Sequence, residues 1–312
     1  MICVDEKPRR GDLQDVRAFG KGVLRSEGVV VDKNNFVYGG GRNGIIYQVT
    51  PDEKVVEFCT LPSGSIPNGI TMDQQGNIFY CDLGKQAIIK VDRLGRPEMF
   101  ADRAGDTALT LPNFATFDAD GNLYVSISSD LTIDNVFEEI KNPKPTGSLV
   151  RFRTDGRSEI VATGLWFANG TAIDPQESAV YVLQSTRSDC LRIEIKSDGS
   201  FGHPEVYSSD FPSHPDGMAF AADGSLYVTL TGYGDNGHFE ESNQQLIVID
   251  TDGRWSPFVD RPDGSDGSTL RVPTNCAFGG PDLRDLFIAN VDGDHLSHVR
   301  TSATGHPLYH QR

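Results

Sequence analysis

The sequence has little of what several common functions require. Its five cysteines are widely spaced and include no C-x-x-C pair, which argues against a zinc cluster or a redox couple. No segment approaches the roughly 20 consecutive apolar residues of a transmembrane helix. The first residues also lack the charged-then-apolar pattern of a secretory signal. We therefore expect a cytoplasmic protein with no membrane partner.

Positive charge is scarce as well. The chain has 28 Lys and Arg residues against 44 Asp and Glu residues, a formal net charge of −16. This balance repels phosphate backbones, so nucleic acid is not an expected partner. The Gly-x-Ser-x-Gly motif of many serine hydrolases and the Walker phosphate loop are both missing. A small-molecule substrate is the expected partner, and the sequence makes no prediction of the oligomeric state.

Helical periodicity is nearly absent, and a β-rich phrase repeats instead. A polar residue, usually followed by Gly, opens an apolar strand that ends in an acidic or glycine turn. The phrase occurs six times, and successive copies begin 41 to 59 residues apart. The residues that open it are Glu27, Asn68, Asn113, Asn169, Asp216 and Asn275. These intervals are typical of propeller blades.

Each unit continues with hairpin turns, such as Asp118-Ala-Asp-Gly, that separate further strands. Four antiparallel strands in each of six units predict an all-β fold, a six-bladed β-propeller that uses residues 1–312 as a single domain. The last unit supplies only three strong strands, whereas Asp15-Val-Arg-Ala-Phe precedes the first unit without a blade of its own. We expect this N-terminal strand to close the last blade. The one helix predicted covers residues 133–140.

The residue that opens each phrase is expected to face the axis, because the innermost strands of a propeller line its central channel. Carboxylate and amide oxygens, without thiol or imidazole, suit a hard cation. Calcium is the first candidate, and magnesium, manganese and zinc are alternatives. Ordinary Asn-Gly turn chemistry is the competing interpretation, and it is favoured for Asn68. It explains Asn113 and Glu27 less well, because Phe114 replaces the glycine after Asn113 and Glu is a poor turn former.

Two insertions, residues 128–146 and 231–243, are expected on the same end of the propeller as the cation. Binding sites commonly use such loops over a rigid scaffold. Aromatic residues in or near these segments are candidates for an apolar pocket wall that binds substrate: Phe137, Trp166, Phe167, Tyr233 and Phe239. Trp166 and Phe167 have an alternative role as core residues between blades.

Four phrases in the chain resemble those of a known family. They are Ser26-Glu27-Gly28, Leu111-Pro112-Asn113, Phe167-Ala168-Asn169-Gly170 and His214-Pro215-Asp216-Gly217-Met218-Ala219. They are similar to the regucalcin/gluconolactonase (senescence marker protein) family of six-bladed propellers, to which the diisopropylfluorophosphatases are related. The resemblance implies that Glu27, Asn113, Asn169 and Asp216 hold one divalent cation. It also implies that Asp216 is catalytic, as a base or a nucleophile.

Two departures from the family pattern concern the substrate. The sugar lactonases of the family often carry Arg where this chain has Leu111, and the usual Glu-Gly-Pro opening is Glu-Gly-Val here, with Val29 in place of Pro. A substrate rich in hydroxyls is therefore less expected than a more apolar lactone or ester, and Leu111 is a candidate substrate contact.

The function predicted from these residues is metal-assisted hydrolysis of a lactone or related ester. His214 is a candidate for proton transfer or substrate contact, and a hydrogen-bonded histidine in a blade connection is the alternative. A non-hydrolytic enzyme similar to strictosidine synthase is a second hypothesis, because Asn169-Gly-Thr-Ala-Ile-Asp-Pro-Gln-Glu-Ser resembles that group as well. A calcium-binding propeller without catalysis is a third.

Overall fold

A computed structural model describes residues 16–41, 44–232, 245–259 and 270–312. Their strands form six four-stranded antiparallel sheets, and each sheet is one blade. Blades one and two contain, from the inner to the outer strand, Val29–Val31, Val37–Gly41, Ile45–Val49 and Val55–Thr60, then Pro67–Met72, Ile78–Asp82, Ala87–Val91 and Pro97–Ala101. Blades three and four contain Pro112–Phe117, Leu123–Ile127, Gly147–Phe152 and Ser158–Leu165, then Ala168–Ile173, Ala179–Gln184, Asp189–Glu194 and Glu205–Ser208. Blades five and six contain Pro215–Phe220, Leu226–Leu230, Gln245–Ile249 and Trp255–Val259, then Pro273–Gly279, Asp285–Asn290, Leu296–Arg300 and Arg17–Phe19.

The remaining elements are short. A two-stranded ladder connects blades two and three, and the chain has one α-helix and three 3-10 helices in its described part. These elements are Arg103–Ala104 with Thr107–Ala108, the α-helix Val136–Lys141, and the 3-10 helices Ile133–Asn135, Ser185–Arg187 and Tyr309–Gln311. The helix predicted for residues 133–140 is confirmed. Within the described ranges, no helix is long and apolar enough to cross a membrane.

The hairpin between the first two strands of blade three shows why these segments turn. The Asp118 carboxylate accepts hydrogen bonds from the backbone and the side-chain nitrogen of Asn122, each at 2.8 Å. Gly121, between them, has a φ of +83°, which glycine adopts without steric cost. Asp73 and Asn77 make the same pair of bonds in blade two. The Asp-Gly signals in the sequence are therefore hairpin turns, as predicted.

Aromatic rings hold neighbouring blades together. Tyr181 of blade four meets Phe220 of blade five edge-to-face, with ring centroids 5.1 Å apart. Tyr227 and Phe278 repeat this contact between blades five and six, also at 5.1 Å. Such pairs stabilise a core by about 0.5–1.5 kcal/mol beyond the area that they bury. The blades therefore pack through one recurring contact between a second strand and the next inner strand.

The ring closes through the N-terminal strand, as the sequence predicts. Arg17–Phe19 pairs antiparallel with Leu296–Arg300 and completes blade six. The Phe19 ring meets Phe287 edge-to-face at 4.9 Å between centroids. The inner strands of blades six and one are also in contact, so the six inner strands surround one channel.

The C-terminal segment closes one end of this channel, a feature that the sequence did not reveal. His310 Nε2 lies 2.8 Å from the backbone oxygen of Val31. The Gln311 side chain donates to the same oxygen at 3.0 Å and to the Phe278 oxygen at 3.1 Å. These bonds join the inner strands of blades one and six, so the opposite end of the channel is the open one.

Candidate metal centre and active site

A cavity of about 290 Å³ occupies the open end of the channel. The four residues predicted as cation ligands all line it: Glu27, Asn113, Asn169 and Asp216. They come from four different blades and span 190 positions of the chain, and the start of each inner strand brings them to the axis. Asn68, from blade two, lines the same cavity.

The glycines that follow these residues allow the inner strands to approach one another. A Cβ added to Gly69 would lie 2.6 Å from the backbone oxygen of Asn113, and one added to Gly170 would lie 2.4 Å from that of Asp216. Neither glycine has a positive φ. The Asn-Gly phrase is therefore not turn chemistry, and glycine is needed because no side chain fits between adjacent strands.

Blade six departs from the predicted register by one residue. A Cβ on Gly217 would lie 2.6 Å from the Asn275 Cα, so Asn275 takes the position that Gly170 and Gly217 occupy in their blades. Thr274 takes the axial position, and its hydroxyl donates to the backbone oxygen of Glu27 at 2.9 Å. Asn275 does not line the cavity. The expectation that Asn275 faces the axis alongside the other five is corrected accordingly.

Two carboxylates face each other at the centre of the site. Burial raises the pKa of Asp216 well above its usual value, the neighbouring Glu27 raises it further, and a hydrogen bond from Asn169 opposes the change. Burial also raises the pKa of Glu27, while Arg25 and the Thr274 hydroxyl lower it. The two negative charges thus repel each other in a desolvated place. A positive charge between them would relieve this repulsion.

The Asn169 amide has a fixed orientation. Its Nδ2 donates to the Ser185 hydroxyl at 3.0 Å, and that hydroxyl donates to the Pro215 backbone oxygen at 2.7 Å. The other amide atom, Oδ1, is buried and has no hydrogen-bond donor in the described part of the chain. Buried acceptors are rarely left without a partner. An orphaned amide oxygen beside two carboxylates fits a hard cation that binds oxygen ligands.

The chemistry of the donor set narrows the choice of cation. Among the residues that the structure describes, no three His, Cys, Asp or Glu side chains come together as a metal-binding group. The candidate site instead combines two carboxylates with amide oxygens. Oxygen donors of this kind suit calcium, magnesium or manganese better than zinc, which prefers imidazole and thiolate.

Arg25 is a member of the site that the sequence interpretation missed. Its Nη2 lies 3.1 Å from Glu27 Oε1, and the residue lines the cavity. A positive φ of 49° and a bond from its backbone nitrogen to the Gly293 oxygen hold its backbone in place. The signal was present in the sequence, because residues two apart in an extended segment share a side and Arg25 precedes Glu27 by two.

A second group missed from the sequence lies in the 3-10 helix Ser185–Arg187. Ser185 and Thr186 both line the cavity. The Ser185 hydroxyl is already engaged with the backbone of Pro215, but Thr186 Oγ1 is buried without a hydrogen-bond partner in the described residues. Thr186 can therefore bind a polar group of a molecule in the cavity.

The remaining predicted substrate contacts divide into three groups. Leu111, Phe167, Phe137 and His214 line the cavity. Trp166 is not among its lining residues, and its ring lies beneath the Arg187 guanidinium at 5.4 Å. Tyr233 and Phe239 lie outside the residues that the structure describes, as does most of the 231–243 insertion. The 128–146 insertion does reach the cavity, through its helical segment.

Comparison with known proteins places the chain among propellers of one family. The family model described as "SMP-30/Gluconolactonase/LRE-like region" matches residues 25–292. The gluconolactonase of Zymomonas mobilis is 27% identical over 328 aligned positions, which cover 96% of this chain and 85% of that protein. Strictosidine synthase-like 7 of Arabidopsis thaliana is 24% identical, and the alignment covers 70% of this chain and 60% of that protein.

A solved structure supports the fold independently. Regucalcin from Agrobacterium tumefaciens, described as a calcium-binding protein, superposes with a TM-score of 0.68 over 97% of each chain. Its sequence identity is 13%, so this similarity concerns the fold alone.

Proposed function

Because the chain belongs to the SMP-30/gluconolactonase/LRE-like family, we propose that it is a divalent-cation-dependent hydrolase of a small lactone or related ester. Calcium is the first candidate for the cation. The observation that carries the proposal is the cluster at the channel mouth, where two partly buried carboxylates repel each other beside the orphaned, buried Asn169 oxygen. The gluconolactonase relative supports the lactonase assignment. The set of carboxylate and amide oxygens supports the choice of calcium.

Glu27, Asn113, Asn169 and Asp216 would hold the cation, which supplies a positive charge that polarises a carbonyl and stabilises the oxyanion formed on attack. Asp216 either accepts a proton from the attacking water or attacks the carbonyl carbon itself. In the first case the ring C–O bond breaks and the proton taken from water passes to the departing alkoxide. In the second, the ring C–O bond breaks to leave a mixed anhydride on Asp216, which a water molecule hydrolyses, and the proton of that water goes to the alkoxide. Both routes give a hydroxy-carboxylate. Arg25 lines the same cavity and pairs with Glu27, so its guanidinium is close enough to bind an oxygen that gains negative charge there.

The proposal is tested by hydrolysis assays on a panel of lactones and aryl esters. Protein stripped with EDTA is expected to lose activity, and added calcium, magnesium or manganese is expected to restore it. Calorimetry then measures calcium binding to Asn169→Ala, which removes the orphaned oxygen, and to the matched control Asn68→Ala. We expect Asn169→Ala to weaken binding by at least about tenfold, the loss of one good ligand, and Asn68→Ala to change it little. Turnover that is indifferent to the chelator would contradict the proposal.

A second candidate is a non-hydrolytic enzyme, favoured by the match to strictosidine synthase-like 7. Such an enzyme would hydrolyse none of the lactones and esters of the panel. Its turnover of its own substrate would not depend on a metal. The same assays therefore separate the two, and a protein that binds calcium without any turnover would instead be a binding protein.

A further inference from the structure

The helical segment of the 128–146 insertion has an apolar side. Ile133, Val136, Phe137 and Ile140 occupy positions i, i+3, i+4 and i+7, a spacing that aligns side chains along one face of a helix. We call these four residues the apolar stripe. The opposite side is polar and exposed, with Asp134 and Glu138 among its residues. A helix with such a stripe normally buries it against a protein core.

The stripe is only partly buried, and all four of its residues line the cavity. Three of them also pack against the small cluster formed by Leu83, Leu111 and Phe167. Phe137 remains 54% exposed, which is unusual for an aromatic side chain beside an apolar cluster. The cavity thus has oxygen-bearing residues at the propeller axis and a continuous apolar wall facing them.

A buried anchor sets the orientation of this wall. Glu139 is 2% exposed, and its carboxylate accepts hydrogen bonds from the Lys144 backbone nitrogen at 2.8 Å and from the Ser129 hydroxyl at 3.2 Å. These bonds tie both sides of the insertion to the helix. Because Glu139 is buried and bonded on both sides, it fixes the rotation of the helix about its axis, and in this rotation the stripe lines the cavity.

We infer that the substrate carries an alkyl or aryl substituent that lies against the apolar stripe while its reacting carbonyl lies at Glu27 and Asp216. This inference rests on the proposed function, which it narrows from any lactone to an apolar one. The substituent would cover apolar surface that the protein itself leaves exposed, a favourable exchange of about 0.8 kcal/mol per buried methylene. A polyhydroxylated lactone would instead place its hydroxyls against groups that cannot hydrogen-bond them.

The test compares lactones that share one ring and differ only in the alkyl chain. From δ-valerolactone through δ-hexalactone and δ-octalactone to δ-decalactone, kcat/KM is expected to rise by up to about fourfold per methylene. Glucono-δ-lactone, which has the same ring with hydroxyl substituents, is expected to be a poorer substrate than δ-octalactone. The reverse order would overturn the inference.

Two variants at neighbouring positions distinguish the loss of apolar contact with the substrate from a general disturbance of the helix. Phe137→Ala removes part of the stripe, and Glu138→Ala changes an exposed residue on the other side of the same helix. Phe137→Ala is expected to flatten the dependence on chain length, lowering kcat/KM for δ-decalactone roughly tenfold while leaving δ-valerolactone nearly unchanged. Glu138→Ala is expected to retain the dependence. An identical slope in both variants would overturn the inference.

Binding provides a readout that does not depend on turnover. Lactams resist hydrolysis, so 2-piperidone and its 6-pentyl derivative can be compared by calorimetry on wild type and Phe137→Ala. We expect tighter binding of the pentyl compound to wild type only. Turnover without preference for the longer chain would overturn this inference alone, whereas the absence of any lactone hydrolysis would overturn the proposed function as well.

Discussion

Individual residues at the centre of the site are arranged for binding at a cost in stability. Asp216 and Glu27 are brought together where burial raises the pKa of both, and the charge of Glu27 raises the pKa of Asp216 further. When the pKa of a carboxyl is higher in the folded than in the unfolded protein, the folded protein binds the proton more tightly. The protein therefore becomes less stable as the pH rises from the unfolded-state pKa to the folded-state pKa. At neutral pH the pair therefore destabilises the cation-free protein. Active sites commonly carry such a cost.

Replacing Asp216 with Asn is expected to stabilise the protein in EDTA at pH 7. Removal of the repelled charge is expected to stabilise the folded protein by about 1 kcal/mol, which corresponds to a rise in Tm of about 1–2 °C for a domain of this size. The gain should shrink toward pH 4, where the wild-type carboxyl is protonated. Calcium should raise the Tm of wild type by mass action and that of Asp216→Asn much less.

Scanning calorimetry at both pH values, with and without calcium, checks this expectation, and hydrolysis should be lost in the variant. Equal Tm values in EDTA together with equal calcium shifts would show that Asp216 neither carries the repelled charge nor binds the cation.

Among the elements, the inner strands place the ligands by approaching more closely than side chains allow. The Cβ of an alanine at position 170 would meet the Asp216 backbone oxygen at 2.4 Å and the Gly217 Cα at 2.9 Å. Backbone atoms cannot swing aside as a flexible side chain would. Where glycine follows an axial residue, as Gly170 follows Asn169, it therefore allows the close approach that positions the axial residue of the next blade.

Gly170→Ala is expected to lower the free energy of unfolding by about 2–3 kcal/mol through steric overlap. It should also weaken calcium binding, because the displaced strand carries Asp216. Gly156→Ala is the matched control, since Gly156 has open space around its Cα but a φ of +85°. That variant should cost only about 1 kcal/mol of backbone strain.

Urea unfolding and calcium titration of both variants measure these effects. If Gly170→Ala and Gly156→Ala bound calcium equally well, the close approach of the strands would not be needed to place Asp216. That result would contradict this account.

At the scale of the whole molecule, both ends of the chain hold the ring together at its seam. The N-terminal strand completes blade six, and the C-terminal 3-10 helix bonds to the inner strands of blades one and six. Since the C-terminal segment closes the end of the channel opposite the cavity, its contribution should be to stability rather than to cation binding.

Deletion of residues 308–312 is expected to lower the free energy of unfolding by about 2 kcal/mol, because the carbonyl groups of Val31 and Phe278 lose their hydrogen-bond donors. Arg312→Ala is the control. It leaves the bonds to Val31 and Phe278 in place and removes hydrogen bonds to the Pro307 oxygen and His306 Nε2 together with a partly exposed ion pair with Glu177. Such an exposed ion pair is worth about 0–1 kcal/mol. Calcium affinity should be unchanged in both proteins. A large loss of affinity on deletion would show that the closed end of the channel also affects cation binding, and would contradict this account.

Much of the fold was predictable because its information is local and repeated. Six copies of one phrase predicted the six blades, the missing strand of the last blade predicted closure by Arg17–Phe19, and apolar spacing predicted the helix near residue 136. The resemblance in four short phrases to one family is confirmed by the match over residues 25–292. The ligand roles of Glu27, Asn113, Asn169 and Asp216 remain predictions, although the structure brings these side chains to one cavity.

By itself, then, the sequence determined the number of blades, their strand order and the axial polar residue in five of the six blades, since hydrophobic alternation and turn chemistry act between neighbours in the chain. Tertiary structure alone decided that Thr274 rather than Asn275 faces the axis, that Arg25 pairs with Glu27, and that the Asn169 oxygen is left without a donor. These outcomes depend on how closely strands of different blades approach and on which donors meet there. Such distances arise only when the ring closes, because residues far apart in the chain then become neighbours.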